Sequence, residues 1–143
     1  MKLRTSVQRE GGMEAAPVRV LVADDDADAA AALAELLQTL DCVVQVAHTG
    51  KEVIELAPEF TPDVVILDIE MPEVDGVQAA RTLKQQAWSG AALFVAYTAA
   101  QGQRIAKRIN ECGFHRYFIK PTPFERFAAL IESVRTRGPH SPA

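Results

Sequence analysis

The stretch VLVADDD, residues 20–26, ends an apolar run in consecutive aspartates and decides how the rest of the chain is interpreted. Three later apolar runs, DVVIL, ALFVAY and YFI, are also followed by a polar side chain. Apolar runs of this length are typical of buried parallel strands, whose carboxyl ends meet at one edge of the sheet. The side chains predicted to converge at that edge are Asp24, Asp25, Asp68, Thr98 and Lys120.

The chemistry of this set suits the transfer of a phosphoryl group to a carboxylate. Asp68 is the candidate nucleophile, because a carboxylate can attack an activated phosphorus to form an acyl phosphate. Three clustered carboxylates repel one another, and a hard cation such as Mg2+ would relieve that repulsion. Lys120 and Thr98 would supply a charge and a hydrogen-bond donor to the phosphoryl oxygens. For Asp26 and Asp28, capping of the following helix is the better interpretation.

Composition restricts the classes of function. A chain of 143 residues fits a single domain, and a formal charge of −4 argues against broad nucleic-acid binding. With only two cysteines, Cys42 and Cys112, a reducing compartment is expected rather than a disulfide framework. The first residues lack a secretory signal, and no apolar run reaches transmembrane length. We therefore expect a soluble, cytoplasmic protein that does not act at a membrane.

The chain divides into three parts by composition. Residues 1–16 are polar and without period and are predicted to be a disordered leader; Met13 could be the true start. Residues 17–137 alternate apolar runs with helical patterns five times, which predicts repeated βα units on a parallel sheet. Residues 138–143 are predicted to be a tail.

Periodicity and capping residues predict the helices. The stripe of the first helix is Leu33, Leu36, Leu37 and Leu40, at the spacing of one helix face. Capping boxes are predicted at Thr49 with Glu52 and at Asp75 with Gln78, and the last helix is predicted to begin with Thr122 as N-cap and Pro123 as first residue.

The fourth helix is expected to be the least firmly held. It is predicted from about residue 101 to 111, with Ile105 and Ile109 as its large apolar anchors and no strong N-cap. Gly113 is a natural C-terminal stop. Arg104, Lys107, Arg108 and Arg116 form a basic patch on or near this helix, for which a solvated surface is the simpler interpretation.

The segments VLVADDD, VVILDIEMPEVDG, VAYTA and YFIKP resemble the receiver domain of two-component response regulators. The resemblance covers residues 17–137 and includes the spacings of 43 residues from Asp25 to Asp68, 30 to Thr98 and 22 to Lys120. It implies an α/β, flavodoxin-like (βα)5 fold with a doubly wound parallel sheet of strand order 2-1-3-4-5.

The resemblance also implies roles for residues. Asp68 would accept a phosphoryl group from a histidine kinase or a histidine phosphotransfer protein. Mg2+ would be held by Asp25, Asp68 and the backbone carbonyl of Glu70, with Asp24 assisting through water. Lys120 would contact the phosphoryl group, and its peptide bond to Pro121 is expected to be cis.

Signalling would follow from the same residues. Thr98 and Tyr117 would form the switch, and a downstream protein would bind the face of the fourth helix, fifth strand and fifth helix. We expect Glu70 and Ala100, each two residues beyond a site residue, to set the phosphoryl lifetime. The chain would be a signalling phospho-acceptor and not an enzyme in the usual sense.

Three alternatives remain open on the sequence alone. We expect a stand-alone receiver similar to a chemotaxis regulator, and the alternative is a receiver module of a hybrid histidine kinase. A haloacid-dehalogenase-type phosphatase also uses an aspartate after a strand, but its later paired-acid motif is missing. A flavodoxin-like cofactor binder would need a phosphate-binding loop after the first strand, where DDDAD would repel a phosphate.

Overall fold

The computed structural model describes residues 16–137. The predictions for the leader up to residue 15, for Met13 and for the tail at 138–143 lie outside this range. Strands and helices alternate along the described chain. They are β1 (Val18–Ala23), α1 (Ala27–Gln38), β2 (Cys42–Ala47), α2 (Gly50–Phe60), β3 (Val64–Leu67), α3 (Gly76–Lys84), a 3-10 helix (Ala87–Ala91), β4 (Leu93–Thr98), α4 (Gln103–Cys112), β5 (Arg116–Ile119) and α5 (Phe124–Thr136).

The strands form one parallel sheet in the order β2-β1-β3-β4-β5, which confirms the predicted doubly wound, flavodoxin-like fold. The register brings the strand ends to one level, because Ala23 pairs with both Ala47 and Leu67, and Leu67 pairs with Ala96. Asp24 and Asp68 are the next residues along β1 and β3. Both therefore stand at the same carboxyl edge of the sheet.

The core has two layers because successive side chains of a strand point to opposite faces of the sheet. In β1, Val20 and Val22 face the layer covered by α1 and α5, whereas Leu21 and Ala23 face the layer covered by α2 and α3. All four residues of β3 are buried. The central strands are thus enclosed on both sides, as their continuous apolar sequences predict.

The predicted stripe of α1 is partly wrong. The buried residues of the helix are Ala30, Leu33, Ala34 and Leu37, while Leu36 is 44% exposed. Leu40 lies beyond the helix end and is only partly buried. The alanines are small enough to face the sheet, and this turns the buried face away from Leu36.

Two predicted helix starts are confirmed and one is wrong. Thr49 caps α2 through the Glu52 amide, although the Glu52 carboxylate accepts from the His48 N–H rather than from Thr49. Asp75 and Gln78 form the full capping box of α3. Thr122, however, is not the N-cap of α5: its hydroxyl donates to the Ile119 carbonyl at 2.6 Å. Pro123, with an extended ψ of 142°, stands directly before the helix instead.

The fourth helix has the weak start that the sequence predicts, two residues later than expected. Gly102 precedes it with φ of 118° and without a side-chain cap, and Ile109 is its one fully buried residue. Gly113 ends it in the left-handed conformation, as predicted. No helix among residues 16–137 has the length and apolarity needed to cross a membrane.

Candidate functional site

An acidic cluster lies at the carboxyl edge of the sheet, where β1 and β3 end. Asp24 and Asp68 are 5% and 7% exposed, and Asp25 beside them is open to solvent. One carboxylate oxygen from each of these three residues lies within 4.8 Å of the others. The parallel register therefore gathers the three carboxylates that the sequence placed at this edge.

Backbone amides of the two loops orient the buried carboxylates. The Asp26 N–H donates to Asp24 Oδ1 at 3.0 Å, and the Glu70 N–H donates to Asp68 Oδ1 at 3.1 Å. Each amide belongs to the residue two positions after its carboxylate, as in an Asx-turn. One oxygen of each carboxylate is fixed in this way, and Oδ2 of each faces its neighbours.

Lys120 joins the cluster from the end of β5. Its Nζ lies 2.5 Å from Asp24 Oδ2 and 3.1 Å from Asp68 Oδ2. Burial alone would lower the pKa of this ammonium, but the hydrogen bonds and charges of the two aspartates outweigh burial and raise the pKa above its usual value. The ammonium is therefore charged and bridges both carboxylates. The Lys120–Pro121 peptide bond is cis, as expected.

Thr98 and Tyr117 meet at Ala100 rather than at the carboxylates. Thr98 is fully buried, and its Oγ1 accepts from the Ala100 N–H at 3.2 Å. The Tyr117 hydroxyl donates to the Ala100 carbonyl at 2.7 Å. The Thr98 carbonyl also accepts from the Lys120 N–H at 3.0 Å. Both predicted switch residues thus contact the short segment that connects β4 to α4.

The donor set fits a small hard cation. Carboxylate oxygens are the ligands that Mg2+ prefers. The three carboxylate oxygens lie within 4.8 Å of one another. Rotation of these side chains toward one another would let them share a cation.

The sequence alone did not predict two contacts around the site. The Lys120 ammonium lies 5.3 Å from the centre of the Tyr97 ring, which itself packs edge-on against Phe127 at 4.9 Å. Alternation along β4 could have placed Tyr97 on the α5 side. The second contact, an ion pair of 2.9 Å from Arg108 Nη2 to Asp75 Oδ2, joins α4 to the cap of α3. No sequence signal predicts a pair so distant in the chain.

The two cysteines and Trp88 take part in packing, and three basic side chains lie at the surface. Burial raises the pKa of Cys42 to about 11 and that of Cys112 above its usual value, so neither thiol is activated. The indole N–H of Trp88 donates to the Gln86 side chain, and the ring packs at the edge of the α2 and α3 layer. Arg104, Lys107 and Arg116 are exposed on α4 and β5.

Comparison with known proteins places this geometry in a family. The response regulator receiver domain family matches residues 20–132. The transcriptional regulatory protein PdtaR of Mycobacterium tuberculosis is 34% identical over 124 residues, which cover 86% of this chain and 59% of that protein. The response regulator MprA of a Mycobacterium species is 31% identical over 132 residues, covering 89% of this chain and 56% of that protein.

Solved structures agree on the fold. The chemotaxis protein CheY4 of Vibrio cholerae superimposes with a TM-score of 0.77 at 22% identity, covering 83% of this chain and 99% of that chain. At this identity the likeness shows the fold alone. The chain spans little more than half the length of the curated relatives PdtaR and MprA. The match over residues 20–132 nevertheless establishes that the chain belongs to the receiver domain family of response regulators.

Proposed function

We propose that Asp68 accepts a phosphoryl group from a phosphohistidine of a histidine kinase or a histidine phosphotransfer protein. The observation that carries this proposal is the position of the Lys120 ammonium, 3.1 Å from Asp68 Oδ2, beside three clustered carboxylates. A buried carboxylate with a cation at one oxygen is placed for attack on an anionic phosphorus.

The transfer balances without a further reactant. A carboxylate oxygen of Asp68 forms a bond to phosphorus while the phosphorus–nitrogen bond of the phosphohistidine breaks. The histidine nitrogen keeps the electron pair of that bond, and the product is an acyl phosphate on Asp68. Lys120 would remain charged, because its pKa is raised. Its ammonium would then move from the carboxylate oxygen to a phosphoryl oxygen.

The acidic cluster would hold the cation that this transfer needs. We assign Mg2+ to Asp25, Asp68 and the Glu70 carbonyl, with Asp24 acting through water. When bound, the ion neutralises the charge of the incoming phosphoryl oxygens. Asp24 would also keep Lys120 at the site, since Nζ and Oδ2 already share a hydrogen bond of 2.5 Å.

Ala100 would pass the signal from the site to the surface. A phosphoryl group adds about −1.5 to −2 charges at the end of β3, and the buried Thr98 hydroxyl is a donor that could turn toward it. Such a turn would break the bond from the Ala100 N–H and shift the segment whose carbonyl holds Tyr117. We propose that Thr98 and Tyr117 form the switch and that α4 moves with it.

The output surface would be the face of α4, β5 and α5. Arg104, Lys107 and Arg116 make this face basic, and Ile119 is an exposed large apolar residue on it. An acidic protein segment with an apolar anchor would complement it. We propose a protein partner here, not nucleic acid or a membrane, and a cytoplasmic signalling role other than that of an enzyme.

Two neighbouring side chains would tune the phosphoryl lifetime. Glu70 is exposed and follows Asp68 by two residues, so its charge lies near the entrance for water. Ala100, two residues after Thr98, has only a methyl group as its side chain. We propose that Glu70→Ala changes the rate of dephosphorylation. A hybrid histidine kinase containing this receiver module would use the same site.

Acetyl phosphate and intact mass measurement test the acceptor. The native chain with Mg2+ should gain one phosphoryl group, and Asp68→Asn or a chelator should prevent the gain. Asp28→Asn is the matched control, because Asp28 is an exposed aspartate in the first turn of α1, outside the cluster. A folded native chain that gains nothing, or an Asp68→Asn chain that gains as much as the native one, would refute the proposal.

A further inference from the structure

Gly50, the first residue of α2, lies directly against the loop that follows the acceptor strand. A methyl group on its Cα would stand 2.1 Å from the Val74 carbonyl oxygen and 2.7 Å from Val74 Cγ1. Real Cβ atoms essentially never approach other heavy atoms below 3.0 Å. A residue with any side chain at position 50 would therefore push α2 and this loop apart.

Backbone conformation does not explain the glycine. The φ of Gly50 lies outside the left-handed region, unlike those of Gly102 and Gly113. Glycine inside a helix costs about 0.5–1 kcal/mol relative to alanine, so the helix itself would favour Ala at this position. The close approach to Val74 is what requires the glycine.

The start of α2 is firmly fixed, so the loop would be the part that yields. Thr49 Oγ1 accepts from the Glu52 N–H at 3.0 Å, and the Glu52 carboxylate accepts from the His48 N–H at 2.6 Å. One turn on, Val53 is fully buried against the sheet. These contacts hold the first turn of α2 against a displacement.

The loop from residue 69 to 75 would carry a displacement to the acceptor. The Gly76 N–H donates to the Ile69 carbonyl at 2.9 Å and closes the loop, and the Val74 N–H donates to the Pro72 carbonyl at 2.8 Å inside it. Glu70 in the same loop donates its N–H to Asp68 Oδ1. A shift at Val74 therefore reaches the amide that orients the acceptor carboxylate.

We propose that Gly50 is a positioning residue for the acceptor site. Because Gly50 has no side chain, the loop of residues 69–75 can pack close enough to α2 for the Glu70 N–H to reach Asp68 Oδ1. This inference rests on the proposed function, because Glu70 and Asp68 are assigned there to Mg2+ and the phosphoryl group. Gly50 acts through Val74 and has no contact with a reactant. The site thus depends on a residue from α2 as well as on residues at the strand ends.

Gly50→Ala tests the proposal, with Val53→Ala as the matched control. Val53 lies on the same helix and is fully buried, so its truncation loosens α2 without adding an atom against Val74. Mg2+ affinity is measured by calorimetry, and phosphoryl gain from acetyl phosphate by mass, both under conditions where urea curves show every chain folded. We expect Gly50→Ala to weaken Mg2+ binding by about tenfold, as loss of a residue that supports a metal ligand does, and Val53→Ala to leave it within about twofold of native.

Equal Mg2+ affinity of Gly50→Ala and the control would overturn the inference. If Gly50→Ala does not fold, the double variant Gly50→Ala/Val74→Gly is compared with Val74→Gly alone, because removing the Val74 side chain relieves two of the three short contacts of the added methyl group. Weaker Mg2+ binding by the double variant than by Val74→Gly supports the inference, and equal binding overturns it. A native chain that neither binds Mg2+ nor gains a phosphoryl group would refute the proposed function itself, a result distinct from a difference between variants.

Discussion

The two halves of the sheet are built differently, although one sequence pattern predicts both. Every residue of β3 is buried, and the adjoining α2 and α3 begin with side-chain caps. At the other end, β5 is an edge strand with two exposed residues, and α4 has no side-chain cap and one fully buried residue. The enclosed half holds Asp68, the proposed acceptor, and the loosely held half begins after Thr98, a proposed switch residue. The proposed function needs both, since the acceptor must stay fixed while another element moves.

The largest expected difference between the halves is in the free energy of unfolding. Ile66 in β3 and Ile109 in α4 are each 1% exposed, so truncating either to alanine is the same chemical change. We expect Ile66→Ala to cost about 4 kcal/mol and Ile109→Ala about 2 kcal/mol, both within the usual range of about 2–5 kcal/mol for a buried isoleucine. The cost at Ile109 should be smaller because the weakly held α4 can move into the cavity left by the truncated side chain or can open locally. Urea denaturation of both variants measures this, and equal costs would contradict the comparison.

Hydrogen exchange of the native chain gives the next largest difference. The amides of α4 should exchange by local opening at a free energy at least about 1.4 kcal/mol below that of β3, which is tenfold in rate. The reason is the lack of a cap and of buried anchors at its start. Exchange followed by NMR or mass spectrometry resolves the two elements. Equal protection of α4 and β3 would mean that α4 opens only with global unfolding.

A smaller effect is expected from the ion pair that joins the halves. Arg108 and Asp75 are 40% and 26% exposed, so their pair should contribute about 0.5–1 kcal/mol at low salt and less at high salt. Asp75→Asn keeps a good N-cap for α3 and removes only the charge. Lys107→Gln is the control, since Lys107 pairs with Glu111 at 4.0 Å on the exposed face of the same helix. Equal, salt-independent costs for both variants would exclude a role of this pair in holding α4.

The smallest effect is a pH dependence at the junction of β4 and β5. His115 Nδ1 accepts from the Phe94 N–H at 2.9 Å, and partial desolvation of the ring together with the charges of Lys84, Arg116 and Arg137 lowers the pKa of this imidazole. The pKa of His115 is lower in the folded chain than in the unfolded chain, so folding favours the neutral imidazole. The stability that this imidazole contributes is therefore present above the unfolded pKa of about 6.5 and is lost as pH falls through the folded pKa.

His115→Asn tests that prediction, because the Asn oxygen can accept the same bond without titrating. The urea midpoint of the native chain should fall more between about pH 7.5 and about pH 5.5 than that of the variant. His48, beside Glu52, is the same in both chains and cancels. Parallel pH profiles would show that His115 does not titrate in this range.

Local pattern predicted most of the fold for identifiable reasons. Buried parallel strands are continuous apolar runs, and Asp75 with Gln78 satisfies the first amides of α3 whatever surrounds it. The errors arose where tertiary contacts decided. Leu36 fits the helical period, but the alanines facing the sheet leave it exposed. Thr122 has the chemistry of an N-cap, yet its hydroxyl donates back to Ile119 instead.

The sequence by itself determined the strand order by resemblance and the edge of the sheet at which Asp24, Asp25, Asp68 and Lys120 collect, because strand ends are marked in the chain. Only the tertiary structure decided the contacts between distant segments. These include Lys120 bridging two aspartates, Arg108 reaching Asp75, and Gly50 admitting the Val74 carbonyl. The local sequence pattern does not predict these contacts, because they depend on how closely helices and loops pack once the sheet has formed.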